Sequence, residues 1–265
     1  TNYTDLELTF EVKKVDINLF QVENGKTIPV LRLVVTSLGT NLAIHTYDMT
    51  VAAYLGGVYV QHRKFVAPPG VNQKGTTLDT NGPVVNIINT PGDDGQKNLL
   101  EVHYTNAKTT SPEFSSTYNN TEQKIDVSFT SLEVLLHQEA LLHVLELVDK
   151  LKPAPKSTVA SGQTAEEKKE QEKAEKKQEE EKRQVKKRKK ASGIIDIQVD
   201  AKLEEFKVVI CTEQKYITDV RIKGIHAGVT METSVMTVTA TLTSISIHDP
   251  SHGTLYPYIM DIEEG

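Results

Sequence analysis

The compact cluster His248-Asp249-Pro250-Ser251-His252 is where this sequence comes nearest to metal chemistry. Two imidazoles beside a carboxylate are the start of a zinc site. Pro250 makes the segment a turn, however, and no third strong ligand stands nearby. Asp93-Asp94-Gly95 opens like a calcium loop but lacks the downstream acidic ligand, so it reads as a plain turn. His137 and His143 lie six apart and do not share a helical face at ligating spacing. Cys211 is the only cysteine, which rules out an intrachain disulfide and a cysteine-built zinc site and fits a reducing compartment. With no basic neighbour to hold it as a thiolate, it is a poor nucleophile. GxxxxGK[ST], GxGxxG after a strand, HExxH and GxSxG are all missing. The expectation is a protein that is not an enzyme and needs neither metal nor cofactor.

The elements that such residues would sit on are mostly strands. The chain has 265 residues, 38% hydrophobic and 6% aromatic, with no Trp, so Val, Ile and Leu supply the apolar material. A formal charge of −6 gives no reason to expect nucleic acid. No apolar run is long enough to cross a bilayer as a helix, and the start TNYTDLELTF has no signal-peptide pattern. It lacks an initiating Met, and the sequence is expected to be a piece of something longer. Asn2-Tyr3-Thr4 and Asn119-Asn120-Thr121 match the glycosylation acceptor pattern, which is short enough to arise by chance.

Three segments are expected: 1–153, 154–192 and 193–265. The middle one, rich in Glu and Lys, cannot bury enough apolar surface to offset its ordering entropy and reads as a charged, disordered linker. Its end, Lys186-Lys187-Arg188-Lys189-Lys190, suits weak contact with an anionic membrane as well as plain solvation. Before the linker the pattern gives five antiparallel strands: 6–22, closed by the Asn24-Gly25 turn, 28–37, turned by Gly39, an unusually long 41–63, then 97–107 and 122–130. A helix should follow over 131–152, capped by Ser131, stopped by Pro153 and apolar along Leu135, Leu136, Leu142, Leu145 and Leu151. Strands at 194–211, 216–231 and 234–248 come after the linker.

Alternation in these strands changes phase. Leu6, Leu8, Phe10 and Val12 give way to Val15, Ile17 and Leu19; Ile197, Val199, Ala201 and Leu203 give way to Phe206, Val208 and Ile210. The same slip separates Leu42 and Ile44 from Met49 and Val51, Val220 and Ile222 from Ile225 and Val229, and Val238, Ala240 and Leu242 from Ile245 and Ile247. A regular strand would turn half of each set to the wrong side. A bulge restores the face and bends the strand; a tight turn between two short strands is the alternative. Five bulges predict a mainly β fold, a strongly curved antiparallel sheet forming an open hydrophobic groove. A strand of some 17 residues is roughly 55 Å long and the helix only about 30 Å, so part of the apolar face is left for a partner, a membrane or an apolar ligand. Closure of the two strand sets as an ordinary sandwich is the competing arrangement.

SLGTNLAIHTYDMTVAAYLGGV (37–58) and SSTYNNTEQKIDVSFTSLEVLLHQEALL (115–142), followed by ASGIIDIQVDAKLEEFKVVICTEQKYITDVRIKGI (191–225), resemble the vacuolar protein sorting-associated protein 13 family, also called the chorein family of bridge-like lipid transfer proteins. The resemblance implies interior channel wall from a rod of repeating β-groove units, a first unit over 1–153 and the start of the next over 193–265. It would conduct glycerophospholipids between organelle membranes at contact sites, in the cytoplasm and peripheral to those membranes, with neighbouring units of the same chain as partners. The expected lining is Leu8, Phe10, Val12, Ile17, Leu19, Leu33, Val35, Leu42, Ile44, Met49, Val51, Val102, Tyr104, Ile125, Val127, Phe129, Ile195, Ile197, Val199, Phe206, Val208, Ile210, Val220, Ile222, Val229, Val238, Ala240, Leu242, Ile245 and Ile247. For each the alternative is packing within a protein core. The alternative for the whole is a scaffold that binds a protein segment without transport.

Overall fold

The structure is a computed structural model and describes residues 2–71, 83–91, 97–151, 193–250, 255 and 257–263. The linker, with its basic end, Asp93-Asp94-Gly95 and His252 lie outside the described residues. The fold is mainly β with one helix, and its strands make one large curved sheet. In chain order the elements are β1 (Thr4–Glu23), β2 (Lys26–His45), β3 (Asp48–His62), β4 (Val85–Asn89), β5 (Leu100–Ala107), β6 (Thr121–His137), α1 (Gln138–Leu151), β7 (Ile195–Cys211), β8 (Tyr216–Glu232), β9 (Val235–His248) and β10 (Tyr258–Glu263). The sheet runs β1-β2-β3-β4-β6-β7-β8-β9-β10, and β5 also lies between β3 and β6, so β4 and β5 share one place in the order.

Several expectations change. Asn24 and Gly25 have positive φ and form the expected turn, but Gly39 is not a turn residue: β2 continues through it to His45. Tyr54 lies across that position, and a Cβ there would come within 2.3 Å of its ring, so the glycine admits a cross-strand aromatic ring. The turn comes instead at Thr46-Tyr47. The expected strand 41–63 is therefore the end of β2 and all of β3, and its apparent slip is a hairpin in which Ile44 faces Met49. Strand β4 falls between the expected strands 41–63 and 97–107, where the sequence pattern gives no strand. The helix begins at Gln138 rather than Ser131, because β6 continues to His137 alongside β7. A short run such as SLEVLLH suits either state, and here pairing with a long neighbour decides it. The β6–β7 pair, which joins the strands before and after the linker, is the one parallel pair among the described strands.

The phase changes in β1, β7, β8 and β9 are real but are not separate bulges. A single bulge would shift the register with its neighbour, yet pairing between β1 and β2, β7 and β8, and β8 and β9 resumes unshifted across the slip. What happens instead is collective. Pairing skips Lys13 opposite Ser37, Ser37 opposite Gly56, Thr130 opposite Glu204, Glu204 opposite Gly224 and Gly224 opposite Thr243. One interrupted position per strand thus lines up across the sheet. Between β3 and β6, Leu99 fills that line through its N–H to the Gly56 carbonyl and its own carbonyl to the Thr130 N–H. Ser37 (φ 50°) and Gly224 (φ 63°) show the local departure from extended backbone.

Gly224 is held by this geometry, since a Cβ there would meet Thr243 Oγ1 at 2.1 Å. Gly224→Ala is expected to destabilise the sheet by at least about 1 kcal/mol, read as a lower urea midpoint, while Gly25→Ala, with open space around it, costs less.

The largest buried cluster is Val85, Ile87, Leu135, Ala140, Val209 and Cys211, with Phe65, Val71, Leu141 and Val144 packed against it. Helix α1 therefore contributes Ala140, Leu141 and Val144 to the core and leaves Leu142, Leu145 and Val148 exposed. In β6 and β7 the core residues Leu135 and Val209 alternate with Val134, Leu136, Val208 and Ile210, which point to the opposite side. The helix thus covers one face of β6 and β7, while Leu31, Val60 and Ile88 of β2, β3 and β4 also pack against the cluster.

Candidate functional site

Directly paired residues share a face, so the registers can be followed across the whole sheet. On one side of the interrupted line, Leu8 pairs with Leu42, then in turn come Val51, Tyr104, Ile125, Val199, Val229 and Val238. The next row runs Phe10, Thr40, Ala53, Val102, Val127, Ala201, Ala227, Ala240, and the one beside it Val12, Leu38, Leu55, Leu100, Phe129, Leu203, Ile225, Leu242. Towards the hairpin ends lies Leu6, Ile44, Met49, Asn106, Gln123, Ile197, Met231, Met236. No charged side chain enters these four rows, and the polar ones are Thr40, Tyr104, Asn106 and Gln123.

The reverse side of the same strands is the opposite in character. One of its rows reads Thr9, Asn41, Ala52, His103, Asp126, Asp200, Gly228, Thr239. Lys124 pairs with Asp126 at 2.9 Å and His226 with Asp200 at 3.0 Å, in exposed positions where ion pairs add little stability. The His226 hydrogen bond, the largest influence, helps hold the Asp200 carboxyl below its ordinary range. Eight strands at about 4.8 Å spacing make each row roughly 35 Å long. The sheet is therefore two-faced over that length.

Beyond the interrupted line a second apolar block follows. Ile17, Leu33, Val60, Ile88, Val134, Val208, Val220, Ile247 and Met260 are paired in succession, and Leu132, Phe206, Ile222, Ile245 and Ile262 form a second row. Val15 meets Val35, Leu19 meets Leu31, and Leu136, Ile210 and Thr218 run side by side. Every residue expected from the sequence to line the groove falls in one of the two blocks, except Ile195, which pairs with Thr121 at the outer end. None of them is buried; Leu8, Phe10, Ile17 and Val238 are about half exposed or more, at 58%, 54%, 46% and 59%. Sequence reading missed Asn106 and Gln123, whose parity with Tyr104 and Ile125 could have revealed them, and Ile88, which sits on the unrecognised β4.

The remaining polar clusters are structural ties. Asp48 accepts hydrogen bonds from Asn2, His45 and Tyr118 at the β2–β3 turn. Burial works to raise its pKa, but those bonds bring it below the ordinary value, and burial together with Asp48 pushes Tyr118 up to about 12. Asp219, 1% exposed, joins Tyr216, Arg221 and His248. His248 is thus engaged in a strand-end tie. Among the described residues no group of three or more His, Cys, Asp or Glu side chains is arranged to hold a metal ion. Cys211 lies in the core, where burial pushes its thiol up to about 11, far from nucleophilic use.

Comparison with known proteins bears directly on this two-faced sheet. The chain is similar along nearly its whole length to intermembrane lipid transfer proteins of the vacuolar protein sorting-associated protein 13 family. It is 29% identical over 240 residues to intermembrane lipid transfer protein VPS13C of Homo sapiens, covering 91% of this chain and 6% of that protein. VPS13A of Mus musculus is 27% identical over 255 residues, covering 96% and 7% respectively. VPS13 of Chaetomium thermophilum is 26% identical over 134 residues, half of this chain and 4% of that protein. The chain thus spans only a small part of the length of these relatives. No protein-family model and no solved structure matches it. No helix among the described residues is long and apolar enough to cross a membrane.

Proposed function

We propose that this chain is a wall segment of an intermembrane lipid transfer protein, and that its two apolar blocks form one continuous face along which glycerophospholipid acyl chains lie. The observation that carries the reading is the set of four charge-free rows, none of whose residues is buried, beside a reverse face of Lys, Asp, Glu and Thr. The relatives' names, which call them intermembrane lipid transfer proteins, support the same reading.

The interrupted line supplies the physical link between the blocks. In an uninterrupted strand Val12 and Val15, three apart, would point to opposite sides. A residue that drops out of the pleat, as Lys13 drops out of pairing, returns them to one side, and the same holds for Leu203 with Phe206 and Leu242 with Ile245. Because every strand makes the adjustment at one level, neighbours keep their register while the apolar face continues and the sheet bends.

Each methylene taken from water onto such a face contributes about 0.8 kcal/mol, enough to offset part of the cost of leaving a bilayer. Uncharged aliphatic walls place no desolvated charge in the path. The polar head group remains at the open edge. The segments 1–153 and 193–265 would act as successive stretches of groove in the same long chain, peripheral to membranes at contact sites. The basic run Lys186–Lys190 would make at most a weak anionic contact.

The test places a charge on each block. Ile197→Asp with Val208→Asp is expected to abolish extraction of labelled phospholipid from liposomes by the purified chain while circular dichroism is unchanged. Extraction at the wild-type level would defeat the reading. Mass spectrometry of the purified chain separates it from a groove filled by a protein segment, which predicts no stoichiometric phospholipid.

A further inference from the structure

The polar exceptions on the charge-free face are not scattered. Asn106 is paired with Gln123, and Tyr104, one step along β5, stands beside them on the same face. They occupy the two rows nearest the hairpin ends of the strands, among Met49, Ile125 and Ile197. The Tyr104 hydroxyl donates to Gln123 Oε1 at 3.2 Å. In that arrangement the Gln123 oxygen is engaged and its NH2 group is left to donate. Asn106 pairs with its neighbours through its backbone, and its side chain is exposed. Two adjacent amides with donors open to a ligand therefore sit at the margin of an apolar surface whose four rows carry no cation; the nearest, Lys108, lies one step beyond Asn106 with its ammonium on the Thr46 carbonyl at 2.7 Å.

We propose that Tyr104, Asn106 and Gln123 form a neutral hydrogen-bonding station for the oxygens of a glycerolipid, its ester carbonyls and phosphodiester, while the acyl chain runs over Val102, Val127 and Ala201. The inference rests on the lipid-carrying reading above and adds where along the wall the polar part of the lipid is met. Amide donors satisfy carbonyl and phosphate oxygens alike. Lacking a charge, they set no deep electrostatic trap for an anion and do not discriminate by head-group charge, which suits passage of mixed phospholipids better than an Arg would. Tyr104 is a positioning residue here, acting through the Gln123 amide.

The test compares two probes on the intact chain: a pyrene-labelled phosphatidylcholine and hexadecylpyrene, a hydrocarbon with no oxygen. Asn106→Leu with Gln123→Leu keeps the surface apolar and strand-compatible, and a thermal melt checks that the fold is retained. The expected result is a loss of phosphatidylcholine affinity of about three- to tenfold with hexadecylpyrene binding unchanged, restored in large part when Asn106→Gln replaces Asn106→Leu. Tyr104→Phe should give an intermediate loss confined to the phospholipid. Equal affinity of wild type and double variant for phosphatidylcholine, or parallel loss of both probes, would overturn the station and leave the lipid-carrying reading standing. Failure of the wild type to bind either probe would overturn both.

Discussion

Leu135→Ala is expected to lower the unfolding free energy by about 3 kcal/mol, whereas Val134→Ala, one residue away, costs less than about 1 kcal/mol. Leu135 is 1% exposed and touches the cluster of Val85, Ile87, Ala140, Val209 and Cys211, so truncation removes buried methyl groups and leaves a cavity. Val134 points to the other side of β6, into the row with Ile88 and Val208, where it is only half-buried and its loss opens no enclosed void. Urea unfolding of both variants measures the contrast. The lipid readout should be reversed: Val134→Asp impairs phospholipid extraction with little loss of fold, and Leu135→Asp prevents folding. Comparable destabilisation by the two alanine variants would mean that the Val134 side is covered, and the open-wall reading would be lost.

That contrast also shows what the sequence could carry. Period-two alternation told apolar from polar faces within each strand, and the slips at Lys13, Glu204, Gly224 and Thr243 were legible as breaks in parity. Their alignment was not legible, because the register between strands is set by long-range pairing and hairpin ends rather than by local composition. Gly39 misled because a glycine opposite an aromatic ring looks, in one dimension, like a turn glycine. The run from Ser131 to His137 misled because Leu and Val at adjacent positions satisfy a helix face and a strand buried on one side equally well. Strand β4 was hidden by its surroundings of Pro, Gly and Asn. The residues of the two apolar blocks could be placed on one face of each strand from parity alone, but the polar trio required knowing that β5 and β6 put Asn106 opposite Gln123.

Stability should fall steeply as pH drops from about 6.5 towards about 4, and His62 is the main cause. The Lys64 backbone N–H donates to His62 Nδ1, so the ring carries its proton on Nε2 and gives it to His143 Nδ1 at 2.9 Å. Both nitrogens of His62 are thereby committed in the neutral form. Its ring is fully buried against Phe65, and burial first, then the nearby His143, Lys64 and His137, bring its pKa down to about 4. Burial also lowers His143, which faces Lys64 and Lys150 but also Glu23 and Glu146. The unfolded chain binds a proton near pH 6.5 that the folded chain refuses, so the stabilisation is complete above that value and is lost as pH falls through the window. The shift corresponds to about 3 kcal/mol in full and about 2 kcal/mol by pH 5. Asp48 and Asp219 have lowered pKa values, so their contributions disappear only at more acidic pH and do not mask the histidine. Since the His62–His143 bond ties the end of β3 to α1, the acid-weakened element is the helix that covers the core. His62→Gln, neutral at every pH, should start less stable at pH 7 and lose most of the slope between pH 7 and 5. An unchanged slope would assign the acid sensitivity to other groups.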